Sequence, residues 1–232
     1  DYVGHLFGSS SLEAEDNLLR LDRAIADLLA FVDAEVGLDR TVVVLSADHG
    51  GPDAPGYLES LGIESAYVDP ESWNREPGLA ELERRFGVGR GLIREYFHPY
   101  VYLDRYEIRR RGLDPVEVEA AVAEQVLALD GVTAAVSSTA LARGEFPDNA
   151  VHRAILNNFD PKRSGDIFVV FEPQPFINDF DGLVVASTPG SPWGYDTHVP
   201  ILFAGSGIAP GVVHRTVRPN DIAATLAAIA GT

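Results

Sequence analysis

The 232-residue chain is strongly acidic, with 35 Asp and Glu residues against 18 Lys and Arg and a formal net charge of −17. This charge repels nucleic-acid phosphates and anionic lipid head groups, which disfavours a nucleic-acid or membrane-surface partner. Binding of an anionic substrate would need a local cation such as a metal ion. The chain has no Cys, which excludes disulfides. No window has the 18 or more uninterrupted apolar residues of a membrane span.

The first part of the chain predicts a long amphipathic helix followed by a buried strand. Apolar residues recur at steps of three and four over residues 10–36, Ser10 and Glu13 fit a capping box, and Gly37 fits the helix end. Residues 41–47 form a continuous apolar, β-branched run, which is typical of a buried strand in a parallel or mixed sheet. Asp48 and His49 follow this strand at the end where open α/β sheets bind ligands.

The middle of the chain, residues 52–192, is punctuated by Pro and Gly and predicts short elements. We expect strands at 100–103, 132–137 and 167–171, and helices at 115–129 (with Asp114 as N-cap) and 150–158. This β-α-β-α-β order is typical of a small α/β cap. A buried strand at 199–204 and a helix at 221–230 close the chain. We therefore predict an α/β fold in which residues 1–51 and 193–232 form the core and residues 52–192 an inserted cap.

Three polar clusters have the chemistry of metal ligands: Asp1 with His5, Asp48 with His49, and His198. Carboxylates and neutral imidazoles suit Zn²⁺ and, less selectively, Mn²⁺ or Fe²⁺. Each cluster alone is common in proteins that bind no metal, and an isolated His is as often a core residue. All three adjoin a predicted strand or a Gly-bearing loop, so we expect them to converge into a metal-binding region. The other histidines, His98, His152 and His214, are interpreted as surface or structural residues.

These clusters lie in motifs that resemble the alkaline phosphatase superfamily. The motifs read Asp1-x-x-Gly-His5, then Ser-Ala-Asp48-His49-Gly, then Tyr-Asp-Thr-His198-Val-Pro. They are most similar to the bacterial high-activity alkaline phosphatases and the related type I phosphodiesterases and nucleotide pyrophosphatases, over residues 1 to about 230. One difference from the family lies at residues 188–191, which read Thr-Pro-Gly-Ser where relatives often have Thr-His-Gly-Ser. The differing position is not interpreted as a zinc ligand. The resemblance implies a three-layer sandwich with a central mixed, largely parallel sheet and the inserted cap.

The resemblance also implies two zinc ions. Asp1, His5 and His198 would hold one, and Asp48 and His49 would hold part of the second. An upstream Asp and an upstream Thr or Ser nucleophile would complete the second site, so no catalytic nucleophile is assigned within these residues. The implied activity is hydrolysis of a small phosphate monoester through a phospho-Thr/Ser intermediate, in a periplasmic or secreted enzyme. The chain also contains no Met, and we expect it to be part of a longer protein, without phosphatase turnover by itself.

Other functions remain open at this point. A phosphodiesterase or nucleotide pyrophosphatase would use the same metal core, and a sulfatase, phosphonate hydrolase or metal-dependent mutase is a weaker alternative because the superfamily shares its ligands across reactions. A non-catalytic metal-binding module is the alternative from another class, which the presence of all five ligands disfavours. Neither the physiological substrate nor the oligomeric state follows from the sequence.

Overall fold

A computed structural model describes residues 1–89, 91–173, 175–177, 179–180 and 183–231. The helices are α1 (Tyr2–Phe7), α2 (Leu12–Glu35), α3 (Pro55–Ser60), α4 (Pro77–Phe86), α5 (Arg105–Arg110), α6 (Pro115–Leu127), α7 (Ser138–Arg143), α8 (Ala150–Asn158), α9 (Gly194–Thr197) and α10 (Asp221–Ala230), with 3₁₀ turns at Leu38–Arg40 and Pro70–Arg75. The strands are β1 (Val42–Ser46), β2 (Ala66–Tyr67), β3 (Ile93–Phe97), β4 (Tyr100–Leu103), β5 (Val132–Ser137), β6 (Ile167–Phe171), β7 (Pro175–Phe176), β8 (Asp179–Phe180), β9 (Leu183–Val184) and β10 (Ile201–Gly205).

Strands β1 and β10, from the two ends of the chain, pair with each other. They run antiparallel, with Val42 opposite Gly205 and Ser46 opposite Ile201. Within the described residues this sheet has two strands, and the expected larger parallel sheet is not observed. The expectation of two fully buried strands is also wrong, because Leu45 and Leu202 are about half exposed. No described element covers those outward side chains.

Helix α2 matches the long helix expected from the sequence, with a different cap. The Oγ of Ser11, rather than of Ser10, accepts the Ala14 N–H at 3.1 Å. The chain turns away at Gly37, whose φ of +95° suits a residue without a side chain. Leu18 and Leu28 on the apolar face are about three-fifths exposed, since α2 packs mainly against α1 and the following 3₁₀ turn. In the described part of the chain, that face has no protein layer over it.

The main packed unit is a four-stranded antiparallel sheet in the order β3-β4-β6-β5. Strand β6 lies inside it with all five residues buried. Ile167, Val169 and Phe171 pack with α4 and α6 on one face, and Phe168 and Val170 pack with α7 and α8 on the other. The continuous apolar run of β6 therefore reflects layers on both faces of the sheet.

A buried charged network joins β4 to β6. Asp166 accepts the Leu103 N–H at 2.7 Å and the Arg105 Nε–H at 2.8 Å. Arg105 also pairs at 2.7 Å with Glu119, which is 2% exposed. These bonds fix the four-stranded sheet beside its helices, because a buried carboxylate is stable only when donors satisfy it. None of the helices described is both long and apolar enough to cross a bilayer.

Candidate metal centre

The first two candidate ligands lie on one short helix. Asp1 is the N-cap of α1 and His5 follows one turn later, so both side chains lie on the same side of the helix. The His5 Nε2 atom is 3.1 Å from an Asp1 carboxylate oxygen, and His5 is only 5% exposed. A buried imidazole is thereby placed against an exposed carboxylate.

The loop after β1 brings the second pair to the same place. The His49 Nε2 atom lies 3.5 Å from the Asp1 carboxylate and 3.7 Å from the Asp48 carboxylate. The His5 and His49 rings are 5.4 Å apart between centroids. One ligand atom from each of Asp1, His5 and His49 lies within 4.8 Å of the other two. The structure therefore brings together two clusters that are more than 40 residues apart in sequence.

Backbone carbonyls orient both imidazoles. The His5 Nδ1 atom is 3.2 Å from the Ser187 carbonyl oxygen, and the His49 Nδ1 atom is 2.6 Å from that of Gly50. Because a carbonyl oxygen only accepts, each ring donates its proton from Nδ1 and turns the Nε2 lone pair towards Asp1. Carbonyl partners of this kind are typical of metal-ligating histidines.

The electrostatics of the cluster call for a cation. The Nε2 atoms of His5 and His49 converge with a carboxylate oxygen, and acceptors in such an arrangement repel each other unless a positive charge lies between them. Burial lowers the pKa of His5, and the neighbouring His49 lowers it further, so a proton on His5 does not supply that charge at neutral pH. Carboxylate oxygen and neutral imidazole nitrogen are the ligands Zn²⁺ takes, and the residues present fit such an ion.

Residues 186–191, here called the strap, hold this arrangement in place. The Ala186 and Ser187 N–H groups donate to the His5 carbonyl at 2.8 and 3.2 Å. At the other end of the strap, the Gly190 and Ser191 N–H groups donate to one carboxylate oxygen of Asp196 at 3.1 and 2.8 Å. The strap thus connects the metal centre to α9.

Asp196 also fixes the loop that carries His49. Its carbonyl accepts the Gly50 N–H at 2.7 Å. A Cβ at Gly50 would overlap the Tyr195 carbonyl oxygen and lie 3.3 Å from the Asp196 Cα, so this close approach requires glycine. Sequence reasoning assigned no role to Ser187, and it quoted Gly50 and Asp196 only as motif neighbours of His49 and His198, because their roles depend on contacts between distant segments.

His198 is the predicted ligand that the structure does not bring into the group. It is the C-cap of α9, is exposed, and is absent from the set of atoms lying within 4.8 Å of one another among the described residues. Asp48 lies beside the group, with its carboxylate against His49. Asp1, His5, Asp48 and His49 are therefore neighbours, and His198 lies outside them.

A cleft of about 370 Å³ opens beside the group. Asp48, His49, Asn158, Asp196 and Thr197 are among its lining residues. Its described lining includes no Lys or Arg. A phosphate group in this cleft would depend on bound metal ions for neutralisation.

Three other cationic or titratable side chains have structural partners. His152 lies on α8, stacks on Phe146 and bonds to Asn149. Arg110 and Arg111 pair with Glu107. The contacts of His152 agree with its interpretation as a structural residue.

Comparison with known proteins agrees with the motif resemblance. Residues 1–195 match the model for type I phosphodiesterase / nucleotide pyrophosphatase. The chain is 35% identical to a protein named calcium-transporting ATPase from Myroides odoratus and 32% identical to alkaline phosphatase PafA from Elizabethkingia meningoseptica, over 99% of this chain and 41% of each relative. The crystal structure of wild-type alkaline phosphatase PafA superposes with a TM-score of 0.85 at 29% identity, over 99% of this chain and 42% of that one.

The chain spans about two fifths of the length of the relatives it matches. The family name and the name alkaline phosphatase both denote hydrolases of phosphoric ester bonds. The α/β fold agrees with that of alkaline phosphatase PafA. The family match covers more than four fifths of the chain, and the chain belongs to the type I phosphodiesterase / nucleotide pyrophosphatase family.

Proposed function

We propose that this chain is the metal-binding part of a phosphate-ester hydrolase of the alkaline phosphatase type that acts on phosphate monoesters. The observation that carries the proposal is the convergence of the Asp1 carboxylate with the Nε2 atoms of His5 and His49. Backbone carbonyls set both rings in the orientation a metal ligand needs. Family membership supplies the reaction class.

Two zinc ions are proposed, with Mn²⁺ as the alternative metal. Asp1, His5 and His198 are assigned to one ion, and Asp48 and His49 to the other. The convergence of Asp1, His5 and His49 fits one ion, and the division of these ligands between two adjacent ions, like the assignment of His198, rests on the motifs alone. When bound, the ions would stabilise the attacking and leaving oxygens of an in-line displacement at phosphorus.

The residues of this chain prepare the site for those ions. The Ser187 carbonyl keeps the His5 Nε2 atom directed at Asp1, and the Gly50 carbonyl does the same for His49. The cleft of about 370 Å³ beside Asp48 and His49 would hold the phosphate ester. A Thr or Ser nucleophile outside these 232 residues would form the covalent intermediate.

The proposed architecture extends the observed α/β fold. Residues 1–51 and 193–232 would belong to a three-layer sandwich around a largely parallel sheet, with residues 52–192 as an inserted cap. The pairing of β1 with β10 and the TM-score of 0.85 to alkaline phosphatase PafA support this arrangement. A small phosphate ester as substrate and a periplasmic or secreted location are proposed from the family resemblance.

An assay of the protein made from its complete reading frame tests the function. We expect zinc-dependent hydrolysis of an aryl phosphate monoester at a higher kcat/KM than the corresponding diester. His5→Ala removes a buried ligand and should reduce kcat/KM by at least about 100-fold, a loss typical of such groups. His152→Ala is the matched control, since His152 lies on α8 away from the cluster, and should change kcat/KM less than twofold.

The same assay decides between this function and its alternatives. The phosphodiesterase alternative is favoured by the family to which the chain belongs, and a higher kcat/KM for the diester would establish it. Zinc binding without turnover of either ester would favour a non-catalytic metal-binding module. Full activity of His5→Ala, or activity that survives complete metal removal, would contradict the proposed metal centre.

A further inference from the structure

Two residues of the β3–β4 hairpin, Tyr96 and His98, form a partly buried polar pair that no role above uses. The Tyr96 hydroxyl is 2.8 Å from the His98 Nδ1 atom. Burial raises the pKa of Tyr96 well above its usual value, so the phenol keeps its proton. When neutral His98 carries its proton on Nε2, Nδ1 is an acceptor and the Tyr96 hydroxyl donates to it.

The Nε2 side of His98 faces the strap. The backbone of Gly190 and of Pro189 lies close enough to the His98 ring to oppose the effect of burial on the pKa of His98. The Nε2 atom is itself buried and makes no hydrogen bond of regular geometry with the described residues. A Cβ added at Gly190, which has a φ of +113°, would lie 2.9 Å from it. Nε2 thus presents a donor to the backbone of the strap at close range.

The opposite end of the strap contacts the metal centre. Ser187 accepts from the His5 Nδ1 atom, and the strap donates two backbone N–H groups to the His5 carbonyl. Only two residues separate Ser187 from Gly190. Any shift of the strap at Gly190 would therefore move the carbonyl that orients His5.

We propose that Tyr96 and His98 are positioning residues, which hold the strap so that the Ser187 carbonyl keeps the His5 Nε2 atom directed at the metal. The pair belongs to the cap sheet, and it thereby couples the cap to the metal centre. Neither residue touches the substrate or the metal. The inference rests on the proposed function, since it assigns His5 to metal binding.

Four variants of the protein made from its complete reading frame separate this role from simple packing. His98→Leu removes the hydrogen bond to Tyr96 and the polar Nε2 atom that faces the strap, and His98→Gln keeps a donor and an acceptor. Tyr96→Phe removes only the hydroxyl, and Tyr106→Phe is the control because Tyr106 is 64% exposed on α5. The measurements are the Zn²⁺ dissociation constant, by chelator competition, and the ¹⁵N shifts of the His5 ring without metal.

We expect His98→Leu and Tyr96→Phe to weaken Zn²⁺ binding about tenfold, the low end of the effect of outer partners of metal ligands. Both should shift the His5 Nδ1 and Nε2 resonances away from the Nδ1–H tautomer. His98→Gln should restore most of the affinity lost in His98→Leu, and Tyr106→Phe should match the wild type. Packing alone would favour Leu over Gln at this buried position.

The inference is overturned if folded Tyr96→Phe and His98→Leu proteins keep both the wild-type Zn²⁺ affinity and the wild-type His5 resonances. It is equally overturned if His98→Gln is weaker than His98→Leu. Failure of the wild type to bind Zn²⁺ would instead refute the proposed function. In that case the His5 resonances of the metal-free variants still report whether the pair positions the ring.

Discussion

Replacing Gly50 by Ala tests the contact that fixes the loop of His49. The added methyl group would overlap the Tyr195 carbonyl oxygen, lie 2.9 Å from its carbonyl carbon and lie 3.3 Å from the Asp196 Cα. All three atoms belong to the backbone, so no side-chain rotation relieves the overlap. The loop and α9 must separate, and the hydrogen bond from Gly50 N–H to the Asp196 carbonyl, now 2.7 Å, must lengthen or break.

The cost follows from two terms. Overpacking against rigid surroundings costs about 1–3 kcal/mol, and the lost hydrogen bond adds about 1 kcal/mol. We therefore expect Gly50→Ala to lower the free energy of unfolding by about 2–4 kcal/mol. For a chain of this size, this corresponds to a decrease in Tm of roughly 4–16 °C. Because His49 moves with the loop, Zn²⁺ affinity should also fall, by about tenfold or more.

Chemical denaturation with and without Zn²⁺ measures both effects. Gly56→Ala is the matched control, because Gly56 lies in α3 with no atom within 4 Å of an added Cβ. Ala is the better helix former, so the control should leave stability unchanged or raise it by up to about 1 kcal/mol. If Gly50→Ala were as stable as the wild type and bound Zn²⁺ equally well, the tight contact between this loop and α9 would not exist.

Two further predictions concern the cap. Asp166→Ala leaves the Leu103 N–H and Arg105 without their shared acceptor, and it should lower the free energy of unfolding by about 2–3 kcal/mol. Asp148→Ala is the control, because Asp148 belongs to an exposed ion pair, and it should lower the free energy of unfolding by less than about 0.5 kcal/mol. Burial lowers the pKa of His98 from 6.5 to about 4, so the unfolded chain binds more protons between these values. The contribution of His98 to the free energy of unfolding should be complete above pH 6.5 and should fall by roughly 3 kcal/mol as the pH decreases to 4. The part of the fall that His98 causes should be absent in His98→Gln, and an equal slope in both proteins would contradict the neutral state of His98.

Several elements of residues 52–192 were predictable because local patterns determine them. Strand β6 is a five-residue apolar run buried on both faces, and its bounds, 167–171, match the prediction. Helix α6 begins at Pro115 after the Asp114 cap, as predicted, and ends at Leu127, two residues early. Strand β3 escaped prediction because its sequence, IREYF, places charged residues inside a strand with a half-exposed pattern.

The remaining errors have a common physical cause, which is that burial depends on distant partners. The apolar stripe of α2 and the strands at 42–46 and 201–205 carry the pattern of buried elements, yet their outer faces are exposed in the described chain. Periodicity reports which face is apolar and does not report what covers it. The pattern therefore predicted these residues to be buried, although they are exposed in the described chain.

The sequence predicted which motif residues would form the candidate site but not the hydrogen bonds that orient them. The motif residues Asp1, His5, Asp48 and His49 do converge. The bonds that orient them come from Ser187, Gly50 and Asp196, which contribute backbone atoms. Backbone carbonyls and N–H groups are common to all residue types, so the side-chain sequence carries little signal for these roles. His198 was predicted from its motif, and the structure places it outside the group.

The most direct test of the metal centre is an anomalous-scattering map at the zinc edge, from crystals of the protein made from its complete reading frame and loaded with Zn²⁺. We expect an anomalous peak about 2.0–2.2 Å from an Asp1 carboxylate oxygen and from the His5 Nε2 atom, and a second peak at similar distances from the Asp48 carboxylate and His49. A map in which zinc-loaded protein shows no peak bonded to both Asp1 and His5 would contradict it.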